Sequence, residues 1–197
     1  MKLLKKTKML SIRPLAESDY LIWKDYVVNR PKPKNRWADN SISLSEASKS
    51  AFKKIVSTNN KHIKNDFFYQ FAVIENSSKK LIGFCSLMDI SRGIFHNAYV
   101  GYQIGSEYWG QGYGKELLKG LIELAFMHLK LHRIEAGIEP RNIRSTSLAR
   151  SLGFRKEGVS KRRLFVRGEW RDMSIYALTI EETKYKNKKF SLSRNFT

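Results

Sequence analysis

The part of the chain with the clearest chemistry is a glycine-spaced turn between an apolar strand pattern and an amphipathic helix pattern. The strand pattern ends at Ile104, and a helix is predicted from Gly112 to about His128. The first backbone N–H groups of a helix have no partner inside the helix and lie at the positive end of its dipole, so they can hold an anion. Because Gly112 and Gly114 lack a Cβ atom, phosphate oxygens can approach these N–H groups. The spacing therefore predicts a phosphate-binding turn.

Two common phosphate-binding motifs do not fit this turn. A Walker loop requires Ser or Thr after its Gly-Lys pair to bind magnesium, and the residue after Lys115 is Glu116. A dinucleotide fingerprint requires a third glycine three residues after the second. That position is Leu117 when counted from Gly112, and Lys115 when counted from Gly110. The sequence therefore argues against an ATPase and against a Rossmann dehydrogenase.

The turn resembles the coenzyme A site of the GCN5-related N-acetyltransferases (GNAT), whose motif reads [RQ]-x-x-G-x-[GA]. Trp109 occupies the first position of that motif. This departure is familiar in the RimJ/RimL-type branch, whose members acetylate protein N-termini. The resemblance covers about residues 10–180, and further segments match the family in its own order. These segments are 92–96, 101–105, 131–134, 140–145, 152–158 and 168–172.

The resemblance implies an α/β (α+β) GNAT fold and acetyl-CoA as the acetyl donor. In that fold helices flank a central mixed, mostly antiparallel sheet, which is splayed between its fourth and fifth strands. The pantetheine arm would lie along the strand that ends at residues 102–104, where backbone N–H groups near Gln103 and Ile104 would polarise the thioester carbonyl. The cofactor-binding residues implied are Tyr102, Gln103, Ile104, Gln111, Gly112, Tyr113, Gly114, Lys115, Asn142 and Ser145.

Two side chains are candidates for catalysis, Ser145 and His96. By resemblance, Ser145 would relay a proton to the cofactor sulfur and Asn142 would bond a pantetheine amide; alternatively, both residues cap the helix that follows. The glutamates that serve as bases in relatives are replaced here by Ala98 and Leu164. His96 lies two residues before Ala98, on the same face of the predicted strand, and is therefore the candidate base. A hydrogen-bonded structural histidine is the alternative, and no metal site is predicted.

Two further residues, Glu107 and Trp37, lie outside these motifs. Glu107 precedes the phosphate-binding helix, and a carboxylate pointing inward there would repel the cofactor. A solvated or dipole-facing role is therefore expected for Glu107. Trp37 lies in the basic loop 31–40 between the first two helices, which walls the acceptor groove in the resembled fold. Trp37 is accordingly a candidate for that groove.

Length and composition suit one compact enzyme domain. The chain has 197 residues, of which 42% are hydrophobic. We divide it into a basic lead (1–9), a GNAT domain (10–182) and a basic tail (183–197). Its single cysteine, Cys85, cannot form an internal disulfide, and the sequence shows neither a secretory signal nor a membrane span. The prediction is a cytoplasmic monomer or homodimer without a membrane partner.

The chain is strongly basic, with 37 Lys and Arg residues against 18 Asp and Glu residues and a net charge of +19. This charge suits a polyphosphate cofactor and RNA-rich surroundings such as the ribosome. Lysine-rich ends that are merely solvated are the alternative. The predicted activity is acetyl transfer to a protein N-terminal amine, with ribosomal proteins as the expected acceptors. Two alternatives are acetylation of a small amine or aminoacyl toxin for self-protection, and ribosome assembly or RNA binding with secondary acetyltransferase activity.

The hydrophobic periods predict the order of elements that must position these residues. A strand and two helices come first, followed by three strands, a helix, a strand, a helix and a closing hairpin. The predicted bounds are strand 10–14, helices 17–29 and 45–58, strands 67–75, 81–90 and 95–104, helix 112–128, strand 133–138, helix 141–151 and strands 154–166 and 169–179.

Overall fold

A computed structural model describes residues 3–37 and 41–186 of the chain. Parts of the predicted basic segments lie outside these residues: 1–2 of the lead, 38–40 of the basic loop and 187–197 of the tail. The strands are β1 (Lys5–Lys6), β2 (Leu10–Arg13), β3 (Tyr69–Glu75), β4 (Leu81–Ser91), β5 (Asn97–Ile104), β6 (Arg133–Ile138), β7 (Arg155–Val166) and β8 (Glu169–Thr179). The α-helices are α1 (Tyr20–Val28), α2 (Lys49–Lys64), α3 (Tyr113–Glu123) and α4 (Ile143–Arg150).

The strands pair in the order β1-β2-β3-β4-β5-β6-β8-β7, which makes one eight-stranded sheet. Strand β5 pairs with β6 in parallel, whereas the pairs β1–β2, β2–β3, β6–β8 and β7–β8 are antiparallel. The parallel register covers three residue pairs, from Asn97↔Arg133 to Tyr99↔Glu135. The mixed, mostly antiparallel α/β fold is thus confirmed.

The chain forms two compact units. The first contains the described residues up to 86 together with 102–121, and the second contains 87–101 and 122–186. In the first unit, α1 and α2 bury an aromatic cluster in which the Trp23 and Phe52 ring centroids are 5.0 Å apart. Ring burial of this kind stabilises the pair beyond the apolar area removed from water. This cluster fixes α1, whose last residues precede the basic loop.

Helix α2 differs from its predicted bounds of 45–58. The Ser48 hydroxyl accepts the Ala51 N–H at 3.1 Å and caps the helix, so α2 begins at Lys49. The residues just before the helix form a separate turn, in which the Ser43 N–H and hydroxyl donate to the Glu46 carboxylate. The helix also continues past residue 58 to Lys64.

Strand β1 was not predicted as a strand, because two residues are too few to show a period. It pairs with β2 through Lys5↔Ile12 and Lys6↔Ser11. The connecting residues are bound by Glu116 in the first turn of α3. Its carboxylate accepts the Met9 N–H at 2.6 Å and the Thr7 hydroxyl. The predicted lead therefore contains an ordered hairpin.

The second unit contains the β6–β8–β7 part of the sheet. Strands β6 and β8 were predicted with their observed bounds, 133–138 and 169–179. A π-helical turn, Leu124–His128, follows α3 directly and ends where the predicted helix ends. Within the part of the chain that the structure describes, no helix is both long and apolar enough to cross a membrane.

Candidate active site

The predicted site residues occur in both units. The first unit contains Tyr102, Gln103, Ile104, Gln111, Gly112, Tyr113, Gly114 and Lys115, and the second contains His96, Asn142 and Ser145.

The start of α3 is a run of backbone donors without acceptors. The Gly112 carbonyl accepts the N–H groups of Lys115 at 3.1 Å and of Glu116 at 3.2 Å, which begins the hydrogen bonding of the helix. No described residue accepts a hydrogen bond from the backbone N–H of Gly112, Tyr113 or Gly114. The Lys115 amide is used within the helix. The donors available to an anion therefore lie at 112–114, at the positive end of the α3 dipole.

The glycines of this turn are required by backbone conformation. Gly110 has φ +81° and Gly112 has φ +88°, a region that side chains with a Cβ atom rarely adopt. A Cβ atom at Gly112 would meet only the Met9 methyl group, at 3.8 Å, and one at Gly110 would meet nothing within 4 Å. The residues that the structure describes leave this space open. A ligand's oxygens can therefore reach the backbone.

Side chains around the turn hold it in place without covering its amides. The Tyr113 hydroxyl donates to the Glu75 carboxylate, and this bond raises the pKa of Tyr113. Hydrogen bonds from the Ser78 hydroxyl and then from Tyr113 lower the pKa of Glu75. The Gln111 side-chain amide donates to the Glu107 carbonyl at 2.8 Å. The start of α3 is thus fixed from both sides while its amides stay open.

A small cleft lies at the end of β5. It is lined by Tyr26, Arg30, Pro31, Gln103, Ile104, Gly105, Ser106 and Glu107. The Glu107 carboxylate oxygens are 2.8 Å from the position that a Cβ atom of Gly105 would take, so the carboxylate lies directly against this glycine. The Arg30 guanidinium lies over the Tyr26 ring, 4.3 Å from its centroid. One carboxylate and one guanidinium thus line the cleft that contains the predicted residues Gln103 and Ile104.

Sequence reasoning missed the placement of Glu107. The residue is exposed, as the expectation of a solvated group requires, but its carboxylate lines the cleft. The signal that could have located it is its position four residues after Gln103, just past the end of β5. A lysine approaches the same segment, because the Lys34 ammonium donates to the Ser106 carbonyl at 3.2 Å. This contact brings the basic loop to the mouth of the cleft.

Trp37 lies in the described part of that basic loop. The Arg36 guanidinium lies 5.1 Å from the centre of the Trp37 ring. The indole Nε1 is buried, and among the described residues it has no hydrogen-bond partner. A buried indole N–H normally has an acceptor. Its role in an acceptor groove remains a prediction.

In the second unit, the start of α4 is closed by a side chain. The Asn142 Oδ1 accepts the Ser145 N–H at 3.2 Å, and the Asn142 N–H donates to the Glu139 carbonyl at 2.8 Å. The capping alternative is therefore confirmed for Asn142. The cap uses only the amide oxygen and leaves the Nδ2 donors available. Both Asn142 and Ser145 are half-buried.

His96 does not belong to β5, contrary to the predicted strand 95–104. The strand begins at Asn97, and His96 has φ +43°, in the left-handed region. Its carbonyl accepts the N–H groups of His132 at 2.7 Å and of Arg133 at 3.1 Å. Side chains alternate between faces only along an extended strand, so the argument that His96 shares a face with Ala98 is wrong. The His96 backbone carbonyl is thus hydrogen-bonded to the start of β6. The role of His96 as a base remains a prediction.

The comparisons with known proteins agree with this architecture. Residues 9–155 match the family model for the acetyltransferase (GNAT) domain. The probable N-acetyltransferase YjcK of Bacillus subtilis is 34% identical over 126 residues, which are 64% of this chain and 70% of that protein. The ribosomal protein uS5-alanine N-acetyltransferase of Escherichia coli is 38% identical over 118 residues, 60% of each protein.

Two further matches are to enzymes whose names give different acceptors. The spermidine N(1)-acetyltransferase of Vibrio cholerae is 28% identical over 138 residues, 70% of this chain and 78% of that protein. The crystal structure of the ribosomal-protein-S5-alanine acetyltransferase from Vibrio fischeri has a TM-score of 0.80 at 26% identity. That comparison covers 97% of this chain and 100% of the other.

Proposed function

The chain belongs to the GNAT acetyltransferase family, whose acetyl donor is acetyl-CoA, and we propose that its acceptor is the N-terminal α-amine of a ribosomal protein. The observation that carries this proposal is the cleft at the end of β5, which has a single carboxylate and cationic surroundings. The similarity to the uS5-alanine enzyme supports the same acceptor class. That similarity spans 60% of the other enzyme's length.

The start of α3 fits the diphosphate of the donor. The backbone N–H groups at 112–114 have no acceptor among the described residues, and two glycines of this turn have positive φ. Both features suit a diphosphate that approaches the main chain. The exposed side chain of Lys115 adds a positive charge at the same turn. Acetyl-CoA supplies the acetyl group as a thioester. The protein's part is to bind the donor and to place hydrogen-bond donors where charge develops.

Four residues have proposed roles around the thioester. The backbone N–H groups near Gln103 and Ile104 polarise its carbonyl. The Asn142 Nδ2 donates to the pantetheine arm. As the C–N bond forms and the C–S bond breaks, the Ser145 hydroxyl relays to the departing sulfur the proton that the attacking amine releases. Within the second unit, the cap between Asn142 and Ser145 fixes the geometry of this pair.

The acceptor must lose a proton before it attacks. An α-amine has a pKa near 8, so a useful fraction is neutral close to neutral pH without a strong base. Glu107 is the one carboxylate among the residues that line the described cleft. It matches an acceptor with a single ammonium group. The Arg30 guanidinium, in the same lining, is complementary to the carbonyl oxygens of a peptide.

A polyamine fits this cleft less well. Spermidine carries several ammonium groups, and each would need a carboxylate or another acceptor. The cleft offers one carboxylate next to Arg30, and Lys34 reaches its mouth. Like charges disfavour a polycation there. The cleft therefore favours a peptide over a polyamine.

The test is a thiol-release assay with acetyl-CoA and matched acceptors. The panel contains peptides with ribosomal-protein N-termini, the same peptides with a blocked N-terminus and a free internal lysine, and spermidine. We expect thiol release with free N-termini only, and a product heavier by one acetyl group. Faster acetylation of spermidine or of the blocked peptides would refute the proposed acceptor.

Glu107→Gln tests the role of the cleft. We expect about a tenfold increase in KM for the peptide, which corresponds to the loss of one charge-assisted hydrogen bond, and an unchanged KM for acetyl-CoA. Glu17→Gln is the matched control, because Glu17 is an exposed carboxylate elsewhere in the same unit. Equal effects of the two substitutions would remove Glu107 from the acceptor site.

A further inference from the structure

The tip of the β7–β8 hairpin, residues 161–171, exposes large apolar side chains. Phe165 is 63% exposed, Trp170 is 61% exposed and Leu164 is 44% exposed. Phe165 and Trp170 are direct cross-strand partners, and their ring centroids are 5.5 Å apart with 57° between the ring planes. Cross-strand partners point to the same face of a sheet. The hairpin tip therefore presents two neighbouring aromatic rings to solvent on one face.

The same segment is strongly basic. It contains five basic side chains against one carboxylate, which leaves a net charge of +4. The basic residues are Lys161, Arg162, Arg163, Arg167 and Arg171, and the acidic residue is Glu169. The carboxylate pairs with Arg171 at 2.7 Å. Most of the positive charge is therefore not balanced within the tip.

A bulge in β7 groups three of these cations. The register changes from Ser160↔Met173 to Leu164↔Arg171, so residues 161–163 lie opposite Asp172 alone. The Asp172 carboxylate accepts the Lys161 ammonium at 2.8 Å and the Arg162 N–H at 2.9 Å. These bonds hold the bulge together and lower the pKa of Asp172.

The backbone at the centre of the bulge is held in an unfavourable conformation. Arg162 has φ +48°, which costs energy for a residue with a Cβ atom. Arg163 is anchored on Tyr99, with its guanidinium 5.0 Å from the ring centroid and a 2.5 Å hydrogen bond to the hydroxyl. Strand β7 is the last strand of the sheet order, and charges with a bulge are a known protection for such an edge. Edge protection does not require an exposed aromatic pair.

We propose that the hairpin tip binds single-stranded nucleic acid, with unpaired bases stacked on Phe165 and Trp170 and phosphates bound by the surrounding arginines. Aromatic faces inside a positively charged surface are the usual platform for such strands. A second copy of the tip is electrostatically disfavoured as the occupant, because one positively charged tip would then face another. Duplexes keep their bases stacked and offer no free face to the rings. This proposal uses none of the residues that have proposed roles in acetyl transfer, so the two proposals can fail independently.

The experiment measures fluorescence anisotropy of labelled ten-nucleotide single strands, one RNA and one DNA, and of an RNA duplex, with the full chain. We expect both single strands to bind more tightly than the duplex, with an affinity that decreases as salt rises. The double variant Phe165→Ala/Trp170→Ala keeps every charge of the protein. It should bind single strands about 5- to 100-fold more weakly, the range for lost base stacking.

A charge variant and matched controls complete the test. Arg162→Gln should reduce the slope of log affinity against log salt by about 0.7, the value for one phosphate of a single strand. Phe67→Ala and Lys54→Gln change an exposed aromatic residue and an exposed cation in the first unit, and they should leave affinity unchanged. Circular dichroism and sedimentation accompany each variant.

Three outcomes would overturn the proposal. The first is an absence of single-strand binding at low salt. The second is binding that the aromatic double variant retains in full while circular dichroism shows it folded, because the charge alone would then account for it. The third is self-association of the wild type that the double variant abolishes, since a second copy would then be the occupant.

Discussion

Helices α3 and α4 begin in opposite ways, although each has the same unpaired donors to satisfy. At α4, the Asn142 side chain accepts the Ser145 N–H and closes the helix start. At α3, Gly112 has no side chain, and the N–H groups at 112–114 find no acceptor among the described residues. A capped helix start has used its donors, whereas an uncapped one keeps them for a ligand.

The polar side chains near the two helix starts are used differently as well. Around α3 they point away from the amides: Tyr113 bonds Glu75, and Glu116 bonds Thr7 and Met9. These contacts hold the turn rigid while its backbone stays open. At α4 the cap leaves the Asn142 Nδ2 as the remaining donor of that side chain. We therefore expect backbone donors to bind the cofactor at α3, and side chains to do so at α4.

The largest effect is expected at Gly112. Gly112→Glu places a carboxylate beside the proposed diphosphate site and should lower kcat/KM for acetyl-CoA at least about 100-fold, through charge repulsion and loss of the approach to the backbone. Gly168→Glu is the matched control, because Gly168 also has a positive φ, +81°, with nothing within 4 Å of its Cβ position. Steady-state kinetics measures kcat/KM for acetyl-CoA in both variants. Equal losses in the two variants would show that backbone strain alone is responsible.

The second-largest effect on catalysis is expected at Ser145. Ser145→Ala removes the proposed proton donor and should lower kcat by about 10- to 100-fold while KM for acetyl-CoA stays constant. Ser147→Ala, at an exposed position of the same helix, is the control. If Ser145→Ala retained full kcat, the hydroxyl would have no part in the reaction.

A smaller effect should separate capping from cofactor binding at Asn142. Asn142→Asp and Asn142→Ser both keep a capping oxygen but lose the amide donor, so stability should hold while KM for acetyl-CoA rises about fivefold, the equivalent of one neutral hydrogen bond. Asn142→Ala should also cost about 1 kcal/mol of stability. Thermal unfolding and kinetics report the two effects separately. An unchanged KM in Asn142→Asp and Asn142→Ser would leave the residue a cap alone.

The smallest effect concerns Tyr113 and pH. Because the folded state lowers the pKa of Glu75, its bonds stabilise the protein above the ordinary carboxyl pKa of 4.5 and are lost as pH falls through the lowered value. Tyr113→Phe should therefore lower the melting temperature slightly at neutral pH, and this difference should shrink in acid. KM for acetyl-CoA should not change at neutral pH. A fall in kcat/KM for acetyl-CoA as large as that of Gly112→Glu would mean that side chains dominate binding at the start of α3.

The sequence predicted the bounds of strands and helices well where a repeating hydrophobic pattern lies between clear turn residues. Strands β6 and β8 have their predicted bounds for this reason. Strand β1 has only two residues, and it depends on contacts between Glu116 and residues far away in the chain. Local patterns carry no information about such contacts.

The candidate site shows the same contrast between features set by local sequence and features set by distant contacts. The glycine spacing at 112–114 predicted an open helix start, because the conformation of glycine is a local property. The left-handed conformation of His96 and the position of the Glu107 carboxylate against Gly105 depend on tertiary packing. No periodicity indicates either. Backbone chemistry was thus more predictable here than the direction of individual side chains.

The most direct test of the account is to follow the backbone amides by nuclear magnetic resonance while coenzyme A is added to the ¹⁵N-labelled protein, with pantetheine as the phosphate-free control. We predict that coenzyme A shifts the amide signals of Gly112, Tyr113 and Gly114 strongly and that pantetheine does not, because these N–H groups bind the diphosphate. Saturating binding of coenzyme A that leaves these three signals in place would contradict the central claim.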